Sequence, residues 1–190
     1  MFRLPSISLK IIVIFVLLCN STLLSAQHYV AAPKGTEVKF NLKSKSNPSD
    51  NIKCIINDIK ADFTFDPLNL SSSSLNLILR TSGLKTNKRE NDVLLKGEHF
   101  FCSSKYPTIQ IISSSITHDR PSGIVYTLKG TISTKGITQP IIMQFTASPL
   151  NNGYVLRGSF SMKPSLFYIG DEGIYDDTLY CFLEIKTIKK

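Results

Sequence analysis

From Val38 onward, apolar residues recur at every second position in run after run, which is the period of a strand with one buried face. Val38, Phe40 and Leu42 alternate with Lys39 and Asn41. A second extended run covers 52–66, where Ile59, Ala61, Phe63 and Phe65 share one side until Asp66-Pro67 stops the ladder. Leu75, Leu77 and Leu79 repeat the pattern, and further strands are expected over 108–116, 124–134, 139–147, 154–162 and 179–188. The sharpest local signal spans 130–142. There Tyr126, Leu128 and Ile132 on one arm and Ile141, Met143 and Phe145 on the other are joined through a short turn at Gly136, whose backbone freedom a tight hairpin needs.

Between 86 and 101 the alternation lapses. A helical turn is expected over 91–101, with Leu94, Leu95, Phe100 and Phe101 closing over an apolar interior. About eight consecutive strands with one short helical element define an all-β fold, and closure into an antiparallel β-barrel removes the exposed edges that such a sheet would leave. A sandwich is the alternative. Large residues crowd one face of several strands, and an eight-stranded barrel has room for one ligand, which favours the barrel.

The first residues read as a leader. Arg3 and Lys10 precede an apolar run from Ile11 to Leu18, and the small residues Ser25 and Ala26 stand at the expected cleavage point, so 1–26 is read as a signal peptide and 27–190 as one domain. The apolar run is far short of the roughly 20 residues that span a bilayer. Export follows, to the periplasm or beyond the cell. The formal charge of +8 drops by two when Arg3 and Lys10 leave with the leader, and nearly all the remaining lysines are scattered singly. That distribution describes a solvated face and lacks the basic stripe that nucleic-acid binding requires, while leaving attraction to an anionic membrane surface open.

Catalytic chemistry finds no local pattern. His28, His99 and His118 stand far apart in no recognisable motif, and His28 and His118 are expected to face solvent. The acidic cluster Asp171, Glu172, Asp176 and Asp177 lacks the spacing of a helix-loop-helix calcium site and reads as a charged loop. No metal or cofactor is expected. Cys54, Cys102 and Cys181 include no Cys-x-x-Cys, and buried free thiols are the default, although barrel closure brings a Cys54–Cys181 bridge into consideration. The recurrent feature is apolar: Phe63, Phe65, Leu77, Leu79, Ile111, Tyr126, Leu128, Ile132, Met143, Phe145, Leu156 and Phe160 occupy one face of successive strands. Periodicity describes a packed core and a ligand tunnel equally well.

Four segments carry a family resemblance: Phe65-Asp66-Pro67, the stretch from Asp92 to Phe101, Lys105-Tyr106-Pro107-Thr108-Ile109, and the hairpin with Lys135-Gly136-Ile137-Thr138. Together they resemble the YceI-like family of exported bacterial lipocalin-like proteins, also described as polyisoprenoid-binding. The resemblance implies a lipocalin-like barrel with short helical elements closing one end and an apolar tunnel for an isoprenoid or other long-chain lipid. The twelve apolar residues above would then be the ligand-binding set, each buried methylene contributing about 0.8 kcal/mol. It further implies a non-enzymatic carrier or sequestering protein for an amphiphile such as a quinone or polyprenyl phosphate; from their place near loops, Lys96, Lys105 or Lys135 is expected to meet an anionic head group. A small envelope hydrolase using the same pocket and a ligand-free envelope interaction module stand as alternatives. The chain departs from the family where Arg-Asp-x-His-Leu is usual and Asn91-Asp92-Val93-Leu94-Leu95 stands instead. It departs again at Pro164-Ser165-Leu166-Phe167-Tyr168, where Arg-x-Asp-Phe-Gly is expected.

Overall fold

The computed structural model describes residues 26–118, 123–171 and 173–190. The leader read at 1–26 lies outside the described residues except for Ala26, as does Glu172 of the acidic cluster. Eleven strand segments and one helix follow in order: β1 (Gln27–Ala31), β2 (Glu37–Leu42), β3 (Ile52–Ile56), β4 (Ile59–Phe65), β5 (Ser74–Arg80), β6 (Leu84–Lys85), α1 (Arg89–Lys96), β7 (Thr108–His118), β8 (Val125–Thr134), β9 (Ile137–Leu150), β10 (Gly153–Met162) and β11 (Leu179–Lys189).

All pairings are antiparallel, and a ring of eight segments closes where β1 meets β11, with Tyr29 opposite Lys189 and Ala31 opposite Thr187. The other three segments extend this ring rather than adding to it. β2 continues the line of β1 along β11, where Val38 faces Leu183, and β3 continues the line of β4 beside it, where Val38 faces Ile56. β6 pairs in turn with β3. The expected run over 52–66 is therefore broken at Asn57 and Asp58, where the Asp58 carbonyl accepts from the Arg80 amide at 2.9 Å.

The β8–β9 hairpin turns through Lys135 and Gly136, both at positive φ (50° and 76°). That is the backbone a two-residue turn needs to match strand twist, and glycine takes it without a steric penalty. The strand before it has Tyr126, Leu128 and Ile132 buried, and the strand after it Ile141, Met143 and Phe145, as their alternation requires. The core is one continuous cluster filling the barrel.

One end is covered by α1 and the segment after it. The Thr86 amide and hydroxyl both donate to Asp92 Oδ1, at 2.6 and 2.7 Å, which ties the approach to α1 onto its body. Leu95, Phe100 and Phe101 turn inward as expected, but Leu94 does not: it is exposed, because an eight-residue helix lying on a barrel mouth can bury only one stripe. No helix among the described residues is long and apolar enough to cross a membrane.

Candidate functional site

The twelve apolar residues picked from alternation are all buried inside the barrel, and the structure divides them into three groups. Phe63, Phe65, Tyr126 and Phe145 join Tyr29 and Tyr154 in an aromatic cluster: Phe63 stacks on Phe65 with centroids 4.9 Å apart, Tyr126 on Phe145 at 5.3 Å, and Tyr154 meets Phe65 edge-on at 5.2 Å. Such offset and edge-to-face contacts add to the area buried. Leu77, Leu128, Met143 and Leu156 are 0% exposed and complete the packed core.

Leu79, Ile111, Ile132 and Phe160 line an interior cavity of about 30 Å³. Its wall also includes residues that alternation had not singled out for a ligand: Phe40, Ile56, Phe101, Met162, Cys181 and Thr134. Phe40 and Ile56 share the inward parity of their strands and were legible as core. Thr134 continues the parity of Leu128 and Ile132, but a hydroxyl side chain is not counted in an apolar pattern. The interior is thus largely filled by side chains, with one small cavity near the covered end.

Phe101 comes from the covering segment and packs its ring on Phe40 at 5.8 Å. Few polar ties hold that segment between its ends: the Gly170 amide donates to the His99 carbonyl at 2.7 Å, His99 Nδ1 meets Asp171 Oδ1 at 2.9 Å, and Lys135 Nζ donates to the Glu98 carbonyl at 3.2 Å. Lys135 also donates to the Tyr168 carbonyl at 2.5 Å, so its ammonium is engaged outside the cavity. Lys105 lies 5.3 Å from the ring of Tyr106. Neither these two lysines nor Lys96 lines the cavity. A larger groove of about 690 Å³ runs over the outside of this end, between Glu98, His99, Lys45, Tyr168, Asp171 and Tyr175.

The cysteines resolve simply. Cys181 on β11 and Cys54 on β3 are separated by Phe40 of β2, which registers with both. Two strand spacings come to roughly 10 Å, beyond the ~7 Å Cα limit for a disulfide. Closure does bring them into one neighbourhood, yet all three described cysteines are buried free thiols. Burial pushes the Cys54 and Cys181 thiols up to about 12.

Two histidine expectations change. His28 sits within β1 and pairs with Asp62, half-buried. His118 ends β7 with its ring 4.3 Å from that of Tyr126, because the strand runs two residues beyond its predicted end and carries the imidazole onto the aromatic cluster. Among the described residues, no three His, Cys, Asp or Glu side chains converge as a metal site would require. Asp171 turns to His99, and Asp177 accepts from the Ser165 amide and hydroxyl at 2.9 and 2.7 Å.

A closed eight-stranded antiparallel barrel with an apolar interior and a helical segment over one end is the architecture of a lipocalin-like fold. The chain belongs to the YceI-like domain family, whose model matches residues 29–180. It is 29% identical over 119 residues to a UPF0312 protein of Vibrio cholerae, a match covering 63% of this chain and 62% of that one. A UPF0312 protein of Yersinia pestis is 28% identical over 115 residues, covering 56% of this chain and 58% of its own. The matched region thus spans less than two thirds of these relatives' length. Among solved structures, BcnA of Burkholderia cenocepacia superposes with a TM-score of 0.74 at 18% identity, covering 82% of this chain and 98% of that one. A polyisoprenoid binding domain from Saccharophagus degradans, implicated in plant cell wall breakdown, superposes with a TM-score of 0.64 at 9% identity, covering 87% and 99%. These likenesses are of fold.

Proposed function

We propose that this chain is an exported, non-enzymatic protein that carries or sequesters an amphiphilic lipid, a polyisoprenoid by class, inside its barrel. The observation that carries this reading is the cavity beneath Phe101, walled by strand side chains and covered by a segment outside the sheet. Opening that cover breaks a few loop contacts and leaves the barrel ladder intact, so displacement of Phe101 is the cheapest way to enlarge the interior. Family membership and the polyisoprenoid binding domain among the structural neighbours support the ligand class. The histidine contacts described above are to carboxylates and an aromatic ring, none to a hydroxyl or thiol, which supports binding over hydrolysis.

Contact with a membrane surface fits the outer wall. Tyr180 and Phe182 on β11 and Ile142 on β9, the two strands flanking β10, are more than half exposed, Lys39 registers with Phe182, and Lys43 lies 5.7 Å from the ring of Tyr180. Exposed aromatics beside lysines suit transient docking on anionic lipid.

Mass spectrometry of lipid extracted from gently purified native protein tests the proposal. A polyprenyl species in near one-to-one amount is expected, and its repeated absence overturns the carrier. The small size of the cavity favours a second reading, an envelope interaction module working through the outer wall without internal ligand, and that absence would select it. Export is tested on the secreted or periplasmic fraction, where the mature chain is expected to begin at Gln27.

A further inference from the structure

The chain that follows β10, residues 163–171, grips the cover on one side and faces outward on the other. Among the described residues, the hydrogen bonds that reach Glu98 and His99 from outside the covering segment come from this stretch or from Lys135. The Gly170 amide donates to the His99 carbonyl, Asp171 meets the His99 ring, and the Lys135 ammonium joins the Glu98 carbonyl to that of Tyr168. Apolar contacts have the same source. Phe100 is 1% exposed, lies beside Gly170, where an added Cβ would stand 3.4 Å from its ring, and meets Tyr175 further along the same connection at 6.0 Å. Other bonds of the cover are internal, such as Phe101 amide to Leu95 carbonyl, or lie at its ends, as from Thr81 to the Tyr106 and Pro107 carbonyls. A shift of 163–171 therefore loosens the middle of the cover and leaves its ends attached.

The stretch is also held under strain. Tyr168 has φ 52°, in the left-handed region that a bulky side chain rarely occupies, and keeps it through its amide bond to the Ser165 carbonyl and the Lys135 bond to its own carbonyl. Two residues earlier, on the short turn Pro164–Phe167, Leu166 is about half exposed. Leu166 continues the apolar outer wall. With Pro140, Ile141 and Lys163 it borders a groove of about 270 Å³, Ile142, Tyr180 and Phe182 border the next, of about 340 Å³, and Ser161 belongs to both. The charge of this strip has one sign: Lys163 is its only charged residue, Lys129 registers with Ile142, and Lys43 lies over Tyr180. The carboxylates of Asp171, Asp176 and Asp177 belong instead to the separate, larger groove. An exposed apolar strip with cations and no carboxylate complements an anionic bilayer.

We propose that residues 163–171 are a lipid-surface sensor and Lys135 the latch it works: seating Leu166 and the adjoining wall on an anionic bilayer shifts this stretch, breaks the Lys135 bridge and frees the cover. The barrel then opens on the membrane and stays shut in solution. The inference rests on the lipid-carrier reading and the membrane contact stated with it, and supplies their regulation. In water, opening exposes Phe100 and Phe101; against hydrocarbon that cost falls away, which gives the bilayer the higher affinity for the open form that such a shift requires.

Amide hydrogen exchange over 97–106 in the purified protein tests this, in buffer, with phosphatidylcholine vesicles, and with vesicles that also contain phosphatidylglycerol, binding being measured by co-sedimentation. Loss of a hydrogen bond from a charged donor corresponds to about a tenfold rise in the population of the open form. Exchange over 97–106 should therefore quicken about tenfold on phosphatidylglycerol vesicles and stay at the buffer rate with phosphatidylcholine, while β8 and β9 remain slow in both. Leu166→Ser should bind the anionic vesicles more weakly and lose the acceleration. Lys135→Met should show about tenfold faster exchange over 97–106 in buffer alone. Unchanged exchange in Lys135→Met, or unchanged or slower exchange on vesicles that the protein does bind, would overturn the latch while leaving the carrier and the membrane contact standing. Failure to bind phosphatidylglycerol vesicles would overturn the membrane contact and this inference with it, whereas the carrier stands or falls on its co-purified lipid.

Discussion

Gly130 of β8 lies so close to Ile112 of β7 that a Cβ added to the glycine would stand 2.1 Å from the Ile112 carbonyl oxygen. The approach occurs where the β7–β8 register shifts, between Ser113 and Ser115, and a bulge there bends the strand. Barrel closure needs such bends, and a glycine opposite one lets the two backbones meet.

Gly130→Ala should therefore destabilise the fold by about 1–3 kcal/mol, the usual cost of forcing extra volume into a packed site. The neighbour is backbone and cannot rotate away. Urea unfolding gives the comparison, and a midpoint equal to wild type would show that β7 yields without cost.

Asp66 should matter as a turn former. Its amide donates to Ser73 Oγ at 2.9 Å, and its Oδ1 accepts from the Leu68 and Asn69 amides at 2.9 and 3.2 Å, in a site only 5% exposed. Asp66→Ala strands the Leu68 amide, while the Asn69 amide keeps its bond to the residue-66 carbonyl at 3.1 Å, and should cost about 1–2 kcal/mol. Asp66→Asn retains an acceptor oxygen and should cost less. Thermal melts of the two variants check the order.

Cys181 should be chemically quiet. With its thiol pushed up to about 12 by burial, only about one molecule in ten thousand carries the thiolate at pH 8. Maleimide treatment of the folded protein followed by peptide mapping should leave Cys181 unmodified, and denaturation should expose it. Mapping without reductant should show no Cys54–Cys181 bridge.

Asp177 gives a pH dependence of definite sign. Hydrogen bonds from the Ser165 hydroxyl and amide hold its carboxyl below the usual value of 3.8. A depressed carboxylate stabilises the folded state above its unfolded pKa, and that contribution fades as pH falls through the folded value. The melting temperature of Asp177→Asn should therefore lie below wild type at pH 7, with the gap closing on approach to pH 3. A gap that widens under acid would contradict the assigned role of the Ser165 contacts.

Most of the strand framework was legible, and the omissions have local causes. Gln27–Ala31 shows no alternation and so gives no local strand signal; β1 is a strand through its partners, β4 on one side and β11 on the other. The break at Asn57 and Asp58 leaves no mark in the pattern, because apolar alternation resumes on the far side with Ile59 and Ala61. Leu94 misled because adjacent leucines cannot both face inward on a short helix lying over a barrel mouth. All twelve proposed ligand contacts were correctly oriented inward, but orientation carries no information about free volume. The cavity touches four of them and depends as much on Phe101 and Thr134.

The amino-acid order alone determined what lies within a few residues: period-two strands, inward and outward faces, and the Lys135–Gly136 turn, since these follow from backbone stereochemistry and side-chain parity. Tertiary structure decided the rest. The ring closes between residues near opposite ends of the described chain, Phe40 separates Cys54 from Cys181, and the threonine continuing an apolar face is left without a hydrogen-bond partner. Each depends on volumes and distances summed over strands remote in sequence, which no local pattern records.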